Sequence, residues 1–253
     1  MSNSKIALVT GGSRGLGKDM ALSLAKKGID VVLTYNSKQE EAQAVVGQIE
    51  QMGQKAATLQ LNAGDVNSFD GFVSQFKTTL QNTFGTDHFD FLINNAGTGL
   101  QASINDTKEE DFDDLFNIHF KGVFFLTQKL LPSINDGGRI INISSGLTRI
   151  IAAGSSAYAA MKGAIEVITK YMAVELGPRR ISVNVVAPGA IETDFRGGAV
   201  RDNPEINKVI AGLTALGRVG LPSDIGGVIA FLCTDEAYWI NAQRIEVSGG
   251  QRI

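Results

Sequence analysis

The sequence has few of the residues that mark disulfide-bonded or metal-binding proteins. Its 253 residues include one cysteine, two histidines and five prolines. The single cysteine, Cys233, cannot form an internal disulfide, and its apolar neighbours indicate a buried reduced thiol rather than a nucleophile. The two histidines, His88 and His119, stand far apart without a second ligand at metal spacing, so the sequence predicts no metal site.

Long apolar runs and an excess of positive charge are also lacking. No apolar run approaches the roughly 20 residues that a membrane-spanning helix needs. The first ten residues do not show the charged-then-apolar pattern of a signal peptide. A formal net charge of -3 gives no basic field for a phosphate backbone. We therefore expect a cytoplasmic protein that binds neither membrane nor nucleic acid.

Short β-branched runs alternate with longer segments of helical periodicity. The predicted strands are residues 5–10, 30–35, 56–61, 89–94, 138–144, 181–187 and 244–247. Because several of these strands are apolar throughout, they need helices on both faces. The pattern predicts an α/β protein with a Rossmann-like, doubly wound, seven-stranded parallel sheet, and residues 1–253 are expected to form one domain. Long helices are expected at 111–132 and 155–177.

A glycine-rich turn follows the first predicted strand and leads directly into a helical pattern. Gly11, Gly15 and Gly17 form a GxxxGxG motif, which alone is weak evidence. A turn at this position directs free N–H groups and the positive end of a helix at an anion such as a pyrophosphate. The candidate cofactor-binding residues of this turn are Gly11, Ser13, Arg14, Gly15, Leu16 and Gly17.

The segment after the second predicted strand contains no acidic residue. NAD-preferring folds carry an Asp or Glu about 20 residues beyond the glycines, where it binds the ribose 2′-hydroxyl. Here the chain has Tyr35, Asn36, Ser37 and Lys38, and these polar groups together with Arg14 can donate to a 2′-phosphate. This favours NADP(H) as cofactor. The alternative is a solvated helix start capped by Asn36 or Ser37.

A tyrosine and a lysine stand four residues apart in the predicted helix 155–177. At this spacing Tyr158 and Lys162 lie on one helix face, and an ammonium beside a phenol is expected to lower the pKa of the phenol from about 10. Ser145 ends the fifth predicted strand, at the carboxyl edge where open α/β sheets bind ligands.

Taken together, these motifs make the chain resemble a short-chain dehydrogenase/reductase over nearly its whole length. The resemblance is carried by the glycine turn, residues 94–97 (Asn-Asn-Ala-Gly), Ser145, the Tyr158-x-x-x-Lys162 pair and the stretch 184–189. It implies that Tyr158 is the general acid/base, that Ser145 polarises the substrate oxygen, and that Lys162 lowers the pKa of Tyr158 and holds the nicotinamide ribose. The further cofactor-binding residues that it implies are Asn62, Asn95, Ala96, Gly97, Pro188, Gly189, Ile191 and Thr193.

One position departs from the family pattern. Where the family places an Asn three residues before a Gly, in a proton relay that uses the Asn backbone, this chain has His119 before Gly122. Asn117 is two residues too early to replace it. We expect His119 to titrate near pH 6.5 and change the pH dependence without abolishing activity. The alternative is a histidine that only packs.

The resemblance predicts an NADP(H)-dependent oxidoreductase that moves a hydride between nicotinamide and a small carbonyl or alcohol substrate. One alternative is a 3-oxoacyl-(acyl carrier protein) reductase, for which Arg149, Arg179 and Arg180 would supply the basic patch that binds the carrier. Another is a dinucleotide-binding scaffold without catalysis. The stretch 192–216 is expected to be a mobile loop with one short helix that closes over the substrate. Family resemblance and the excess of apolar residues in the two long helices predict a homotetramer.

Overall fold

The computed structural model describes residues 4–253, so the first three residues of the stretch tested for a signal peptide lie outside the described part. Seven parallel strands form one sheet in the order β3-β2-β1-β4-β5-β6-β7. The strands are β1 Ile6–Val9, β2 Asp30–Tyr35, β3 Ala56–Gln60, β4 Phe89–Asn94, β5 Ile134–Ile143, β6 Ser182–Pro188 and β7 Arg244–Val247. The predicted fold class is confirmed.

Helices connect the strands and cover both faces of the sheet. They are α1 Gly15–Lys26, α2 Gln39–Gln51, α3 Phe69–Thr79, α4 Glu109–Phe116, α5 Gly122–Leu130, α6 Ser156–Leu176, α7 Ala199–Asp202, α8 Pro204–Gly212 and α9 Pro222–Leu232. Within residues 4–253, none of the helices has the length and apolar character needed to cross a membrane.

Two apolar cores lie on opposite faces of the sheet because successive residues of a strand point in opposite directions. On β1, Val9 belongs to the core beneath α1, α2 and α9, whereas its neighbour Leu8 belongs to the core beneath α3, α5 and α6. Both residues are fully buried. This two-sided burial explains why the strands appear in the sequence as continuous apolar runs.

The strand order reverses between β1 and β4, and this reversal positions the site. Connections on the two sides of a reversal leave the sheet in opposite directions and open a crevice at the carboxyl ends of the strands. The glycine turn follows β1, Asn95 follows β4, Ser145 follows β5, and Gly189 follows β6. The fold therefore brings motifs that are up to 178 residues apart to one edge of the sheet.

Strand β5 begins four residues earlier than the predicted start at residue 138. The glycine-rich stretch before that residue is typical of a turn, but Ile134 pairs with Phe89 of β4 and is fully buried. The pairing continues across a register shift between Phe89 and Phe91. Gly137, with a φ of 79°, accommodates the irregular backbone.

Candidate active site

The glycine turn is fixed to the two strands that flank β1. The Gly11 amide donates to the Thr34 hydroxyl (3.1 Å), and the Asn95 side-chain amide donates to the carbonyls of Thr10 (2.9 Å) and Gly11 (3.1 Å). A Cβ on Gly17 would lie 2.1 Å from the Gly11 carbonyl oxygen, so only glycine fits there. Asn95 thus uses its side chain to hold the turn.

The start of α1 suits an anionic ligand. The helix begins at Gly15, directly after the turn, and its first turn contains no acidic residue. Its first N–H groups lack intrahelical partners and carry the positive end of the helix dipole. Gly15 has a φ of +54°, and a Cβ there would lie 3.7 Å from the Thr193 side chain. These features fit the pyrophosphate of a dinucleotide.

The other predicted cofactor-binding residues lie along the carboxyl edge of the sheet, near the glycine turn. A Cβ on Gly11 would contact Ala96, and a Cβ on Gly97 would contact His119. The remaining members of the set are Ser13 and Leu16 around the α1 start, Pro188 and Gly189 at the end of β6, and Ile191, whose backbone pairs with Gly220. Asn62 lies after β3, where its side chain accepts from the Gly64 amide (3.0 Å).

The adenosine end has exposed cations and no acid at the end of β2. Arg14 is 58% exposed at its side chain, and its guanidinium lies 3.8 Å from the Asp194 carboxylate. Tyr35 ends β2, and the following Asn36 and Ser37 are exposed. Lys38 is the N-cap of α2 and makes no side-chain cap. The alternative prediction that Asn36 or Ser37 caps this helix is therefore wrong.

The three candidate catalytic side chains come together where β5 and α6 meet. Ser145 follows β5, and its hydroxyl accepts from the Leu147 amide (3.2 Å). Tyr158 and Lys162 lie one turn apart on α6 and are 7% and 5% exposed. The Lys162 Nζ is 5.6 Å from the centre of the Tyr158 ring and donates to the Ile143 carbonyl (2.7 Å).

Burial dominates the ionisation of both groups. It raises the pKa of Tyr158 to about 12, against lowering effects of the Arg196 charge and of the Ser145 side chain. It lowers the pKa of Lys162 to about 7. In the ligand-free chain burial therefore outweighs every lowering effect on the pKa of Tyr158, because loss of solvation disfavours the charged form of the phenol.

Comparisons with known proteins identify the family. A model of enoyl-(acyl carrier protein) reductases matches residues 11–252. A hydroxynaphthalene reductase-like protein of Metarhizium brunneum is 37% identical over 97% of this chain and 94% of its own length. The versicolorin reductase of Emericella nidulans is 33% identical over 98% and 96%. The chain belongs to the short-chain dehydrogenase/reductase family.

Solved structures of the family share the whole fold. LugOII, a promiscuous reductase that catalyses keto-reduction at C1 during lugdunomycin biosynthesis, is 39% identical, with a TM-score of 0.93 over 100% of this chain and 99% of its own. The angucycline C-6 ketoreductase LanV, solved with bound NADP, is 36% identical, with a TM-score of 0.93 over 98% and 95%. The predicted family is confirmed, and the chain is an oxidoreductase of this family.

The position at which this family member departs from the common pattern lies in a distorted helix. The predicted helix 111–132 is interrupted by a π-helical segment, Asn117–Lys121, between α4 and α5. A Cβ on Gly122 would lie 2.0 Å from the Ala63 carbonyl oxygen and 2.8 Å from that of Asn117. The wider turn and the missing Cβ at residue 122 let the helix pass this neighbouring loop.

His119 sits in the middle of the π-helical segment and is 1% exposed. Its Nε2 donates to the Thr98 carbonyl (2.7 Å), and its ring meets the Tyr158 ring edge to face, with centres 5.2 Å apart. Burial, and then the charge of Lys162, hold the pKa of His119 well below 6.5. The predicted titration of His119 near neutral pH is therefore wrong, because the imidazole is desolvated beside a cation.

Two residues of the stretch 192–216 pack against Tyr158, and no pattern in the sequence predicted that they would do so. The Phe195 ring centre is 5.7 Å from that of Tyr158, and the Arg196 guanidinium carbon is 5.4 Å from it. Arg196 donates to the Leu100 carbonyl (2.7 Å). The only signal in the sequence is their position just after Thr193. The stretch also contains α7 and α8, more helix than the one short helix expected.

The arginines proposed for an acyl carrier protein are mostly engaged within the chain. The Arg149 Nε donates to Glu246 (2.8 Å), and the Arg179 Nε donates to Asp136 (2.8 Å). Arg180 is exposed. Two of the three cations are thus partly neutralised by neighbouring carboxylates.

Proposed function

We propose that this chain is an NADPH-dependent ketoreductase that reduces a carbonyl group on a planar aromatic substrate. The observation that carries the proposal is the convergence of Ser145, Tyr158 and Lys162 beside a glycine turn suited to a pyrophosphate. The NADP bound to LanV and the exposed Arg14 near an acid-free β2 end support the choice of cofactor. The reductases named among the relatives support the substrate class.

The reaction would use the chain as a proton donor and a charge stabiliser. Bound NADPH supplies the hydride. Negative charge that develops on the carbonyl oxygen is stabilised by the hydroxyls of Ser145 and Tyr158, and Tyr158 Oη transfers its proton to that oxygen. The Lys162 Nζ lies 5.6 Å from the centre of the Tyr158 ring, and in its ammonium form it would stabilise the phenolate that this proton transfer leaves behind.

Apolar and aromatic groups around the phenol favour a flat, apolar ketone. The rings of His119 and Phe195 pack on two sides of Tyr158. Leu100 and Leu147 pack against the small buried cluster that contains Tyr158. A planar aromatic ketone can stack between such side chains with little loss of contact. We propose that residues 192–216 move to admit it and then close.

A panel of substrates tests this function through NADPH consumption. Polycyclic hydroxyaryl ketones and quinones should have kcat/KM values roughly tenfold above those of simple aliphatic ketones, since contacts with aromatic side chains contribute on the order of 1 kcal/mol and about 1.4 kcal/mol corresponds to tenfold. Faster turnover of 3-oxoacyl groups on an acyl carrier protein would favour the carrier-dependent reductase. If no carbonyl compound were reduced, the chain would be a scaffold that binds the dinucleotide.

We also propose that the enzyme is a homotetramer. Val167, Tyr171 and Val174 form an exposed apolar stripe along α6 at helical spacing, and they are 56%, 65% and 77% exposed. Exposed phenylalanines on α4 and α5 extend the apolar surface; they are Phe112, Phe116 and Phe124. Such a surface is costly in water and suits a second copy of the chain. Light scattering at micromolar concentration should give four times 26.9 kDa, and a monomer would contradict the proposal.

A further inference from the structure

One carboxylate joins the strand that carries Ser145 to the helix that carries Tyr158 and Lys162. Glu166 lies on α6, one turn beyond Lys162. Its Oε1 accepts from the Ser144 hydroxyl (2.7 Å) and from the Thr148 hydroxyl (2.8 Å). Four positions after Lys162, this glutamate lies on the same helix face as the lysine.

The two hydroxyls that bind Glu166 enclose Ser145 in the chain. Ser144 precedes it, directly after the last residue of β5, and Thr148 ends the 3₁₀ turn Gly146–Thr148 that follows it. The Ser145 hydroxyl accepts from the Leu147 amide within that turn. Both ends of the segment that holds the Ser145 hydroxyl are therefore tied to one atom of α6.

An arginine on the edge strand β7 supports the carboxylate. The Arg244 Nε donates to Glu166 Oε1 (2.8 Å), and its NH2 donates to the Thr148 hydroxyl (3.1 Å). The side chains of Glu166 and Arg244 are 18% and 25% exposed, so their charges are partly withdrawn from water. Charge-assisted hydrogen bonds are shorter and stronger than neutral ones, and in such surroundings they restrict the groups that make them.

We propose that Glu166 is a positioning residue that sets the distance and direction between the Ser145 hydroxyl and the Tyr158 phenol. The inference rests on the proposed function, because it assigns both hydroxyls to one carbonyl oxygen. Transition-state stabilisation requires donors that are already in place, and a misplacement of about 1 Å can cost about 100-fold in rate. Glu166 would act on the reaction only through Ser145.

The first test is the substitution Glu166→Ala, followed by steady-state reduction of the best ketone of the panel. We expect kcat to fall about 10- to 100-fold, with a change in KM of less than about threefold. Glu166→Gln should lose only a few-fold because its amide oxygen still accepts from Ser144 and Thr148. Exposed Glu175, on the same helix, supplies the matched control Glu175→Ala, which should retain wild-type rates.

A double-mutant cycle with Ser145 separates positioning from a general loss of structure. If Glu166 acts through Ser145, the variant with Ser145→Ala and Glu166→Ala should be no slower than Ser145→Ala alone, within about twofold. Multiplicative losses would overturn the proposal, since they would mean that Glu166 acts on Lys162, on Tyr158 or on the fold.

Amide hydrogen exchange gives a readout that does not need turnover. In Glu166→Ala, the amide of Leu147 should exchange faster, whereas amides in β1 should be unchanged. If Glu166→Ala does not fold, Thr148→Val and Ser144→Ala take its place, each with an expected loss of about 3- to 10-fold in kcat. Wild-type rates with unchanged exchange would overturn the proposal. A wild-type enzyme that reduced none of the ketones would instead contradict the proposed function. The exchange rate of the Leu147 amide would still show whether Glu166 holds the segment around Ser145.

Discussion

The catalytic centre and the stretch 192–216 are built in opposite ways. Tyr158 and Lys162 are buried on a 21-residue helix that packs on the sheet. In the stretch that covers them, Val209 and Leu216 are 61% and 73% exposed, and the Arg201 ion pairs with Asp194 and Asp202 lie at the surface. Exposed ion pairs contribute only about 0–1 kcal/mol. The candidate catalytic residues therefore stand on well-packed elements, whereas the stretch proposed to close over the substrate is held mainly by surface contacts.

The largest expected effect comes from removing the proton donor in the rigid centre. Tyr158→Phe should lower kcat about 10²- to 10⁴-fold for every ketone, because it deletes the hydroxyl and leaves the ring packing intact. NADPH affinity, measured by fluorescence titration, should change less than about threefold. A variant that keeps more than about a tenth of the wild-type rate would show that Tyr158 is not the acid.

The second largest effect is expected at the cofactor end of the site, where the exposed Arg14 lies near Asp194 of the stretch 192–216. Arg14→Ala should weaken NADPH about 10- to 100-fold, since a hydrogen-bonded charge contributes about 1.5–3 kcal/mol. NADH affinity should hardly change, because NADH has no 2′-phosphate. The control is Lys18→Ala on the same helix. Equal losses for both cofactors would mean that Arg14 supports the turn instead of reading the phosphate.

A smaller effect is expected from Arg196, which connects the stretch 192–216 to the buried centre around Tyr158. Arg196→Ala removes the hydrogen bond to the Leu100 carbonyl and the cation above Tyr158. KM for bulky ketones should rise about tenfold, while kcat changes less. Exposed Arg201 gives the control Arg201→Ala, for which KM should stay within about twofold. If Arg196→Ala changed only kcat, the stretch 192–216 would take part in the chemical step. The proposed division between a centre that reacts and a stretch that binds the substrate would then be wrong.

The buried lysine predicts a stability that depends on pH in the ligand-free protein. Folding lowers the pKa of Lys162 from 10.5 to about 7, so between these values the unfolded chain binds one proton more. The free energy of unfolding should therefore rise with pH in this window, by at most about 1.4 kcal/mol per pH unit from this group. Urea unfolding between pH 7.5 and 9.5 should give a flatter slope for Lys162→Met, but not for exposed Lys170→Met. A steeper slope in Lys162→Met would reverse the sign and refute the assignment.

The sequence predicts the sheet and the shared helix face of Tyr158 and Lys162 because both are encoded locally. Strands buried on both faces are apolar throughout, and Tyr158 and Lys162 share a helix face through spacing alone. The sequence does not predict features that depend on distant contacts. The π-helical turn follows from the approach of Gly122 to the Ala63 carbonyl, and the early start of β5 follows from the burial of Ile134 against β4.

The pKa of Tyr158 and the contacts of Glu166 could not be predicted from the sequence for the same reason. The pKa of Tyr158 depends on how completely residues as distant as Phe195 bury it, and no spacing rule reports that. Glu166 looks like a surface glutamate until β5 and β7 bring Ser144 and Arg244 to it. The spacing of the motifs in the chain indicates which residues meet, whereas the tertiary structure determines how burial shifts their pKa values.

The smallest expected effect belongs to His119, which packs against Tyr158 inside the buried centre. Its Nε2 binds the Thr98 carbonyl and its ring packs on Tyr158, yet its pKa lies well below 6.5, so the imidazole is neutral at the pH of the assay. His119→Asn should therefore keep kcat within about threefold, because an amide can also donate to Thr98 and the helix distortion remains. The kcat profile between pH 5.5 and 7.5 should be the same in both enzymes, since the group with a pKa of about 7 in the site is Lys162. If the wild-type kcat profile had an inflection in this range that was absent from His119→Asn, the ionising group would be the imidazole. The histidine would then be less desolvated during turnover than its 1% exposure indicates.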